Sequence, residues 1–399
     1  MAGTTTVDAL DTPCLLLDRA RLEANRDRMR AALDGRGVTL RPHVKTAKSV
    51  DVQRAVDGGA GPITVSTLKE AEAFAAAGWR DILYAVGLSP AKVPQAMRLR
   101  ARGVELRCVL DSVQAARAVA DAARAWRAEN GGADRLPVLI EIDCDGHRAG
   151  VAPGDARTLV AIGRALESEA TRLDGVMTHA GGSYACRSCT EIVDMAERER
   201  TAIVDAARVL TEAGLPCPVR SVGSTPTALF AARHDGLTEV RAGVYVFQDL
   251  VMAGLGVCAP GDIAVSVLAT VIGHQPARGW IIVDAGWMAL SRDRGTAAQP
   301  VDQGYGLVRD AAGRPLRVDG DDAGADLVVT SANQEHGVIA RRDGRPLDAA
   351  TLEARFPVGA RLRILPNHAC ATAAQHDRYH VVGADGTVAA DAWPRFGGW

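Results

Sequence analysis

An excess of basic charge is missing from this chain, and its absence removes one class of partner. The 46 lysines and arginines are matched by 48 aspartates and glutamates, leaving a formal net charge of -2. Such a balance offers no electrostatic footprint for a phosphodiester backbone or an anionic membrane surface. Also lacking is a basic region followed by an apolar run in Met1-Ala2-Gly3-Thr4-Thr5-Thr6, and no apolar stretch elsewhere approaches the length that crosses a bilayer. A soluble, cytoplasmic protein that binds neither nucleic acid nor membrane is the expectation. The eight cysteines, at positions 14, 108, 144, 186, 189, 217, 258 and 370, lack the dense spacing of a small disulfide-stapled scaffold and read as reduced thiols. Sequence repeats and low-complexity segments are absent, and the Asp/Gly cluster at 319–326 reads as a surface loop. What the chain does have is apolar material: 47% hydrophobic residues over 399 positions provide for a sizeable core.

From residue 37 to about 245, short runs rich in β-branched residues alternate with longer Ala-, Arg- and Glu-rich stretches of helical period. The runs are Val38–Lys45, Ile63–Thr67, Ile82–Val86, Leu106–Asp111, Pro137–Cys144, Gly175–His179, Val219–Gly223 and Glu239–Gly243. Helix-like segments such as Leu68–Ala77, Pro90–Ala101, Val113–Ala128, Pro153–Ser168, Ile192–Glu212 and Thr225–His234 separate them. Eight β-then-α units imply parallel strands with right-handed crossovers, closed into a (β/α)8 TIM barrel. After Pro260-Gly261 the helical period disappears. Ile263–Ile272, Trp280–Asp284, Asp326–Ser331, Ala360–Leu365 and Tyr379–Val382 then read as a mostly antiparallel β domain. The expected division is therefore 1–258 and 259–399, with residues 1–10 candidates for packing on the β domain.

Chemistry in such a barrel collects at the C-terminal strand ends. Lys45 stands at the first, Asp143 and Arg148 after the fifth, His179 and Tyr184 after the sixth, Gly223-Ser224-Thr225 after the seventh, and Gly243-Val244-Tyr245 after the eighth. An arbitrary lysine is a solvated surface group. One on a strand tip within Pro42-His43-Val44-Lys45-Thr46 is instead a candidate amine nucleophile toward an aldehyde. Ser221-Val222-Gly223-Ser224-Thr225-Pro226-Thr227 reads equally as an anion cradle opening a helix and as an ordinary helix cap. Its place after the seventh strand favours phosphate, and a phosphate-bearing aldehyde with a lysine partner points to pyridoxal phosphate.

Near the end, Pro366-Asn367-His368-Ala369-Cys370 sets an imidazole and a thiol two residues apart. In an extended segment these share one face, as His43 and Lys45 would. The bland alternative is a core imidazole and an inert thiol. Two ligands fall short of a structural zinc set, which leaves positions for water and substrate, as a catalytic Lewis acid requires. The thiolate favours zinc over manganese or magnesium.

Taken together, these segments resemble the D-serine dehydratase-like and D-threonine aldolase-like enzymes, which are similar in fold to alanine racemase. The resemblance covers nearly the whole chain. It runs through Asp11-Thr12-Pro13, Arg41-Pro42-His43-Val44-Lys45-Thr46, Val65–Glu72, Asp81–Gly87, Glu141-Ile142-Asp143 and His147-Arg148-Ala149-Gly150-Val151. It continues in Thr178-His179-Ala180-Gly181, Arg241–Tyr245, Glu335-His336-Gly337 and Pro366–Cys370. It implies that Lys45 is the Schiff-base lysine, with His179 close to the cofactor as a second catalytic group. It also implies that Arg148 faces the pyridine nitrogen, with Tyr184 among the cofactor residues and Gly223, Ser224, Thr225 and Tyr245 at the phosphate. An arginine opposite that nitrogen makes a weaker electron sink, so bond breaking would need the metal on His368 and Cys370. Where the family's aldolases present His-x-Asp, this chain has His-x-Cys, which favours the dehydratase branch. A homodimer is implied as well.

The leading expectation is a lyase on D-3-hydroxy amino acids, a D-serine or D-threo-3-hydroxyaspartate dehydratase releasing ammonia and a 2-oxo acid. The alternatives are retro-aldol cleavage to glycine and an aldehyde, a racemase, and a non-catalytic pyridoxal-phosphate carrier. Cys186-x-x-Cys189 reads as an incidental loop pair, and His376-Asp377 leaves substrate preference open. Asp284 reads as a turn residue, and His336 is balanced between a supporting and a bystander role.

Overall fold

Small polar residues cap the starts of six helices in the barrel part of the chain. Chain order runs β1 (Cys14–Asp18), α1 (Arg19–Leu33), β2 (Thr39–Pro42), α2 (Val50–Asp57), β3 (Ile63–Val65), α3 (Leu68–Ala76), β4 (Asp81–Gly87), α4 (Val93–Ala101) and β5 (Glu105–Leu110). Next come α5 (Val113–Asn130), β6 (Leu136–Ile142), α6 (Ala156–Leu166), β7 (Thr171–Thr178), α7 (Cys189–Glu212), β8 (Val219–Val222), α8 (Thr225–Phe230) and β9 (Glu239–Ala242). Ser49, Thr67, Ser112, Asp155, Ser188 and Ser224 each accept a backbone N–H from the first turn of α2, α3, α5, α6, α7 and α8. A side-chain acceptor there satisfies a donor that the helix leaves without an internal partner. The computed structural model describes residues 6–132, 134–146, 148–316 and 326–399. His147 and all but the last residue of the 319–326 cluster lie outside the described residues.

Strands β2 to β9 form one parallel sheet in the order β2-β9-β8-β7-β6-β5-β4-β3. A parallel bridge between His43 and Thr64 brings the two ends together, so the sheet closes as the expected (β/α)8 barrel. β6 is buried at all seven positions, as a strand covered on both faces must be. Polar side chains tie neighbouring strands as well. Arg41 reaches Glu239 and Asp81, both at 2.8 Å, and Arg107 reaches Asp81 and Asp174, both at 2.7 Å. The Ser221 hydroxyl donates to the other Glu239 oxygen at 2.6 Å. Removing Glu239 would leave the buried Arg41 guanidinium with only the partly exposed Asp81 as its carboxylate partner, so Glu239→Ala is expected to cost up to about 3–5 kcal/mol in chemical denaturation. A loss below about 1 kcal/mol would show that the pairs do not act as a network.

The second compact unit consists of the residues up to Arg26 together with 244–397, so the boundary stands at 244 where the sequence placed it near 258. The reason is pairing. β1 lies antiparallel to β10 (Val265–Gln275) and parallel to β16 (Arg378–Val382), and the Phe247 carbonyl accepts the Ala264 N–H at 2.8 Å. Between these strands come β11 (Trp280–Val283), β12 (Leu307–Asp310), β13 (Leu327–Ala332), β14 (Gly337–Arg341) and β15 (Arg361–Leu365), and β17 (Trp393–Pro394) follows β16. The order β10-β11-β14-β13-β12-β15 returns to β10, an antiparallel closed sheet. Leu250, Ile263, Leu307, Val328 and Leu365 form part of its core. Short helices α9 (Leu250–Gly254), α10 (Trp287–Leu290), α11 (Ala349–Arg355) and α12 (Ala369–Ala373) interrupt it. Among the described residues all eight cysteines are free, and no helix is long and apolar enough to cross a membrane.

Candidate active site

Lys45 is presented by a turn, which corrects the strand expected to run to that residue. β2 stops at Pro42, the His43 N–H donates to Ala242, and the Val44 N–H donates to Thr64. The chain then closes on itself, with the Lys48 N–H on the Val44 carbonyl at 2.8 Å and Lys48 in the left-handed region at φ 44. Lys48 pairs with the buried Glu70 at 3.2 Å, pinning the far end of the turn, while Lys45 remains exposed. Gly243 gives the turn room, because a Cβ there would lie 2.9 Å from the Thr46 hydroxyl and 3.1 Å from the His43 carbonyl.

Cationic and neutral basic groups gather at these strand ends. Burial pushes the His43 imidazole well below its usual range, and Lys45, Arg241, His179 and Arg148 push it further the same way. Burial likewise takes His179 down to about 3, with Lys45, Arg148 and Arg241 adding to the shift. His179 is therefore neutral at physiological pH. Its Nδ1 lies 2.7 Å from the Gly223 carbonyl, which can only accept, so Nδ1 carries the proton and Nε2 keeps its lone pair. Arg148 is half exposed and meets Glu141 at 3.4 Å; burial raises that carboxyl although Arg148 opposes it. The Tyr184 ring lies 6.2 Å from that of His179.

At Gly223-Ser224-Thr225 the helix cap is the geometry present. Ser224 and Thr227 form a capping box, and the Ser224 hydroxyl also meets that of Ser183 at 2.9 Å. The Gly223 N–H donates to Glu199 at 2.8 Å and the Ser224 N–H to the Thr227 hydroxyl at 3.2 Å. Glycine stands at 223 because φ is 149 and a Cβ would fall 1.8 Å from the Arg241 carbonyl. Thr225 is buried as the first residue of α8, and Tyr245 is buried two residues past Gly243, in the second compact unit.

His368 and Cys370 belong to that second unit, and a helix start, not strand alternation, brings them together. β15 leads into Asn367, whose side chain is fixed by the Thr296 hydroxyl at 2.6 Å and the Gly304 carbonyl at 2.5 Å. His368 is then the N-cap residue of α12, with φ -131 and ψ 107, and Cys370 lies in the first helical turn. The cap is supplied from elsewhere. Asp249 accepts the Ala369 N–H at 3.0 Å and the Met252 N–H at 2.9 Å, so one buried carboxylate serves α12 and α9. His368 Nδ1 donates to Asp293 at 2.6 Å. Burial opposes a proton on His368, yet the bonds to Asp293 and Cys370 and the charge of Asp249 outweigh it and push the imidazole up to about 11. Asp293, Cys370 and Asp249 thus all favour positive charge at this position. Among the described residues no group of three or more His, Cys, Asp or Glu is placed to hold a metal ion.

Asp284 accepts from the Thr12 hydroxyl at 2.6 Å and the Thr270 N–H at 2.7 Å, a structural brace as expected. His336 is exposed beside the β13–β14 turn, and Cys186 is buried while Cys189 is exposed. Sequence reasoning missed Glu199, Asp249 and Asp293. Glu199 sits in a run of charged residues that reads as a solvated face, and neither aspartate lies near the His368 motif in sequence.

Residues 17–250 match the family described as alanine racemase, N-terminal domain, and residues 264–382 match the putative serine dehydratase domain. The chain is similar to D-threo-3-hydroxyaspartate dehydratase of Delftia sp. strain HT23, with 56% identity over 397 residues and 99% of each protein covered. It is also similar to D-threonine aldolase of Arthrobacter sp, with 30% identity over 96% of this chain and 92% of that protein. A solved structure of a D-threo-3-hydroxyaspartate dehydratase, a cysteine-to-alanine variant in the metal-free form, superposes with a TM-score of 0.92 at 55% identity. It covers 99% of this chain and 100% of that one. A histidine-to-alanine variant of a dehydratase of that name has also been solved, with the substituted histidine two positions before the substituted cysteine.

Proposed function

The chain belongs to the D-serine dehydratase-like and D-threonine aldolase-like family built on an alanine racemase N-terminal domain, and from that premise we propose that it is a pyridoxal-phosphate- and metal-dependent lyase. Its proposed reaction is dehydration of a D-3-hydroxy amino acid, with D-threo-3-hydroxyaspartate preferred over D-serine. The observation that carries the reading is the His368–Cys370 pair backed by Asp293, in a chain 56% identical to a D-threo-3-hydroxyaspartate dehydratase. The spacing of the histidine and cysteine varied in dehydratases of that name equals that of His368 and Cys370.

The residues present fit both groups. Burial is the main reason His43 and His179 stay neutral, with Lys45, Arg148 and Arg241 adding to it, and the positive field of those three groups favours a phosphate-bearing anion. In this reading Lys45 would hold the cofactor, with Arg148 toward its ring nitrogen and His179 and Tyr184 as further cofactor residues. Ser224, Thr225 and Tyr245 would serve the phosphate, with Gly223 acting by shape because its N–H is given to Glu199. His368 Nε2 and the Cys370 thiolate would hold the metal, zinc before manganese or magnesium. When bound, the cofactor supplies an electron sink for Cα and the metal a Lewis acid for the β-hydroxyl.

Lys45 Nζ would take the α-proton of the bound substrate. His179 Nε2 offers an acceptor that stays unprotonated at neutral pH. Asp293 keeps the His368 ring oriented by holding Nδ1–H, as a carboxylate behind a ligating histidine does. Loss of the β-hydroxyl as water leaves an enamine, which tautomerises and hydrolyses to a 2-oxo acid and ammonia. A cytoplasmic homodimer is part of the same proposal.

Incubation with D-serine, D-threonine and D-threo-3-hydroxyaspartate, followed by assay of ammonia, 2-oxo acid, glycine and aldehyde, tests the reading. Equimolar ammonia and 2-oxo acid are expected, fastest from the hydroxyaspartate. Glycine with an aldehyde as the main products would assign the retro-aldol reaction instead, the activity named for the 30% identical relative.

A further inference from the structure

Glu199 has no role in the reaction just described, yet it is among the more costly residues of the barrel. It lies on the face of α7 that also carries Ile192, Met195, Ala196, Ala202, Ile203 and Ala206, all buried, and is itself 2% exposed. A carboxylate in an apolar stripe is destabilising unless donors surround it. The Thr227 side chain in α8 is one partner, and two backbone donors come from loops. One oxygen, Oε1, accepts the Gly223 N–H at 2.8 Å and the Ala180 N–H at 3.1 Å.

The location of these two amides gives the carboxylate its meaning. Pairing of β7 with β8 runs through Gly175–Val219, Val176–Arg220 and Met177–Ser221. Beyond that last pair the Glu199 oxygen joins the two strand ends in place of a ladder bond. One amide follows His179 directly, and the other belongs to the residue whose carbonyl takes the His179 Nδ1–H at 2.7 Å. Both the backbone that carries the imidazole and the acceptor that orients it are therefore held by one atom.

We propose that Glu199 is a positioning residue that fixes the orientation and tautomer of His179 by clamping Ala180 and Gly223. This rests on the reading of the barrel mouth as a cofactor site only for its consequence in binding and turnover. The geometry of the clamp belongs to the protein alone.

The test compares wild type, Glu199→Gln, which retains an acceptor oxygen, and Glu199→Leu, which fills similar space without one. Histidine-labelled apoprotein is read by ¹⁵N spectroscopy, with His179→Gln assigning the signal. Wild type and Glu199→Gln are expected to show a protonated Nδ1 and a bare Nε2, and Glu199→Leu a mixture of tautomers. Absorbance titration of the apoproteins with pyridoxal phosphate should show affinity kept within about threefold in the glutamine variant. The leucine variant should lose about 10- to 100-fold, the scale at which small misplacements act. If leucine does not fold, Glu199→Ala takes its place in the same measurements. A folded leucine or alanine variant with the His179 signal unchanged overturns the proposal, even if its thermal midpoint falls. Failure of wild type to bind pyridoxal phosphate would instead overturn the functional reading, with the tautomer measurement still deciding the clamp.

Discussion

Lys45→Ala is expected to lower turnover on every 3-hydroxy amino acid by about 10⁴-fold or more, since in the proposed reaction one amine would both hold the cofactor and take the α-proton. The structure separates this lysine from its neighbours. Lys48 is bound to the buried Glu70 and Lys69 lies exposed on α3, whereas Lys45 projects from the turn beside His43, with its backbone N–H 3.4 Å from His43 Nδ1. Borohydride reduction of the protein loaded with pyridoxal phosphate, followed by peptide mapping, should place the pyridoxyl group on Lys45. A label on Lys48 or Lys69 would end the assignment. Arg148→Glu bears on the same site, because reversing that charge should shift the visible absorption of the bound cofactor through its ring nitrogen. An unchanged spectrum at full occupancy would remove Arg148 from that position.

The other large effect concerns the metal. Exhaustive chelation, and separately His368→Ala or Cys370→Ala, should lower turnover by at least about 10³-fold, because Lewis-acid assistance to the leaving hydroxyl is worth several kcal/mol. Cofactor binding, read by visible absorption, should persist in all three cases. Cys370→Asp restores an oxygen ligand of the kind manganese and magnesium prefer, so partial activity with those ions and a tilt toward glycine and aldehyde are expected. An unchanged rate after metal removal verified by elemental analysis would return His368 and Cys370 to ordinary roles. Asp293 would then be a carboxylate paired with an imidazolium, and a metal-independent racemase would become the better account.

The barrel was legible because its cues are local. Eight runs of β-branched residues, each followed by a helical period, coincide with β2 to β9, and the hydroxyl or carboxylate residues before most helices accept the amides that such spacing implies. The second unit was less legible. β12 and β14 were not read as strands, and β1 lies far in sequence from its partners β10 and β16. The extended reading of the two site segments failed for a related reason. Val44 and His368 belong to stretches that end a strand, and in each the backbone turns at once, closed by Lys48 in one and capped by Asp249 in the other.

Residue type and short spacing were enough to read an amine near a barrel strand end, an imidazole and a thiol two apart, and a near-even balance of charges. Only tertiary structure decided which carboxylates serve those groups. Asp293 lies 75 positions from His368, Asp249 lies 120 from Ala369, and Glu199 lies 24 from Gly223. No periodicity links such pairs, because a buried carboxylate takes its meaning from the donors that folding brings to it, and those donors are mostly backbone amides that every residue but proline possesses.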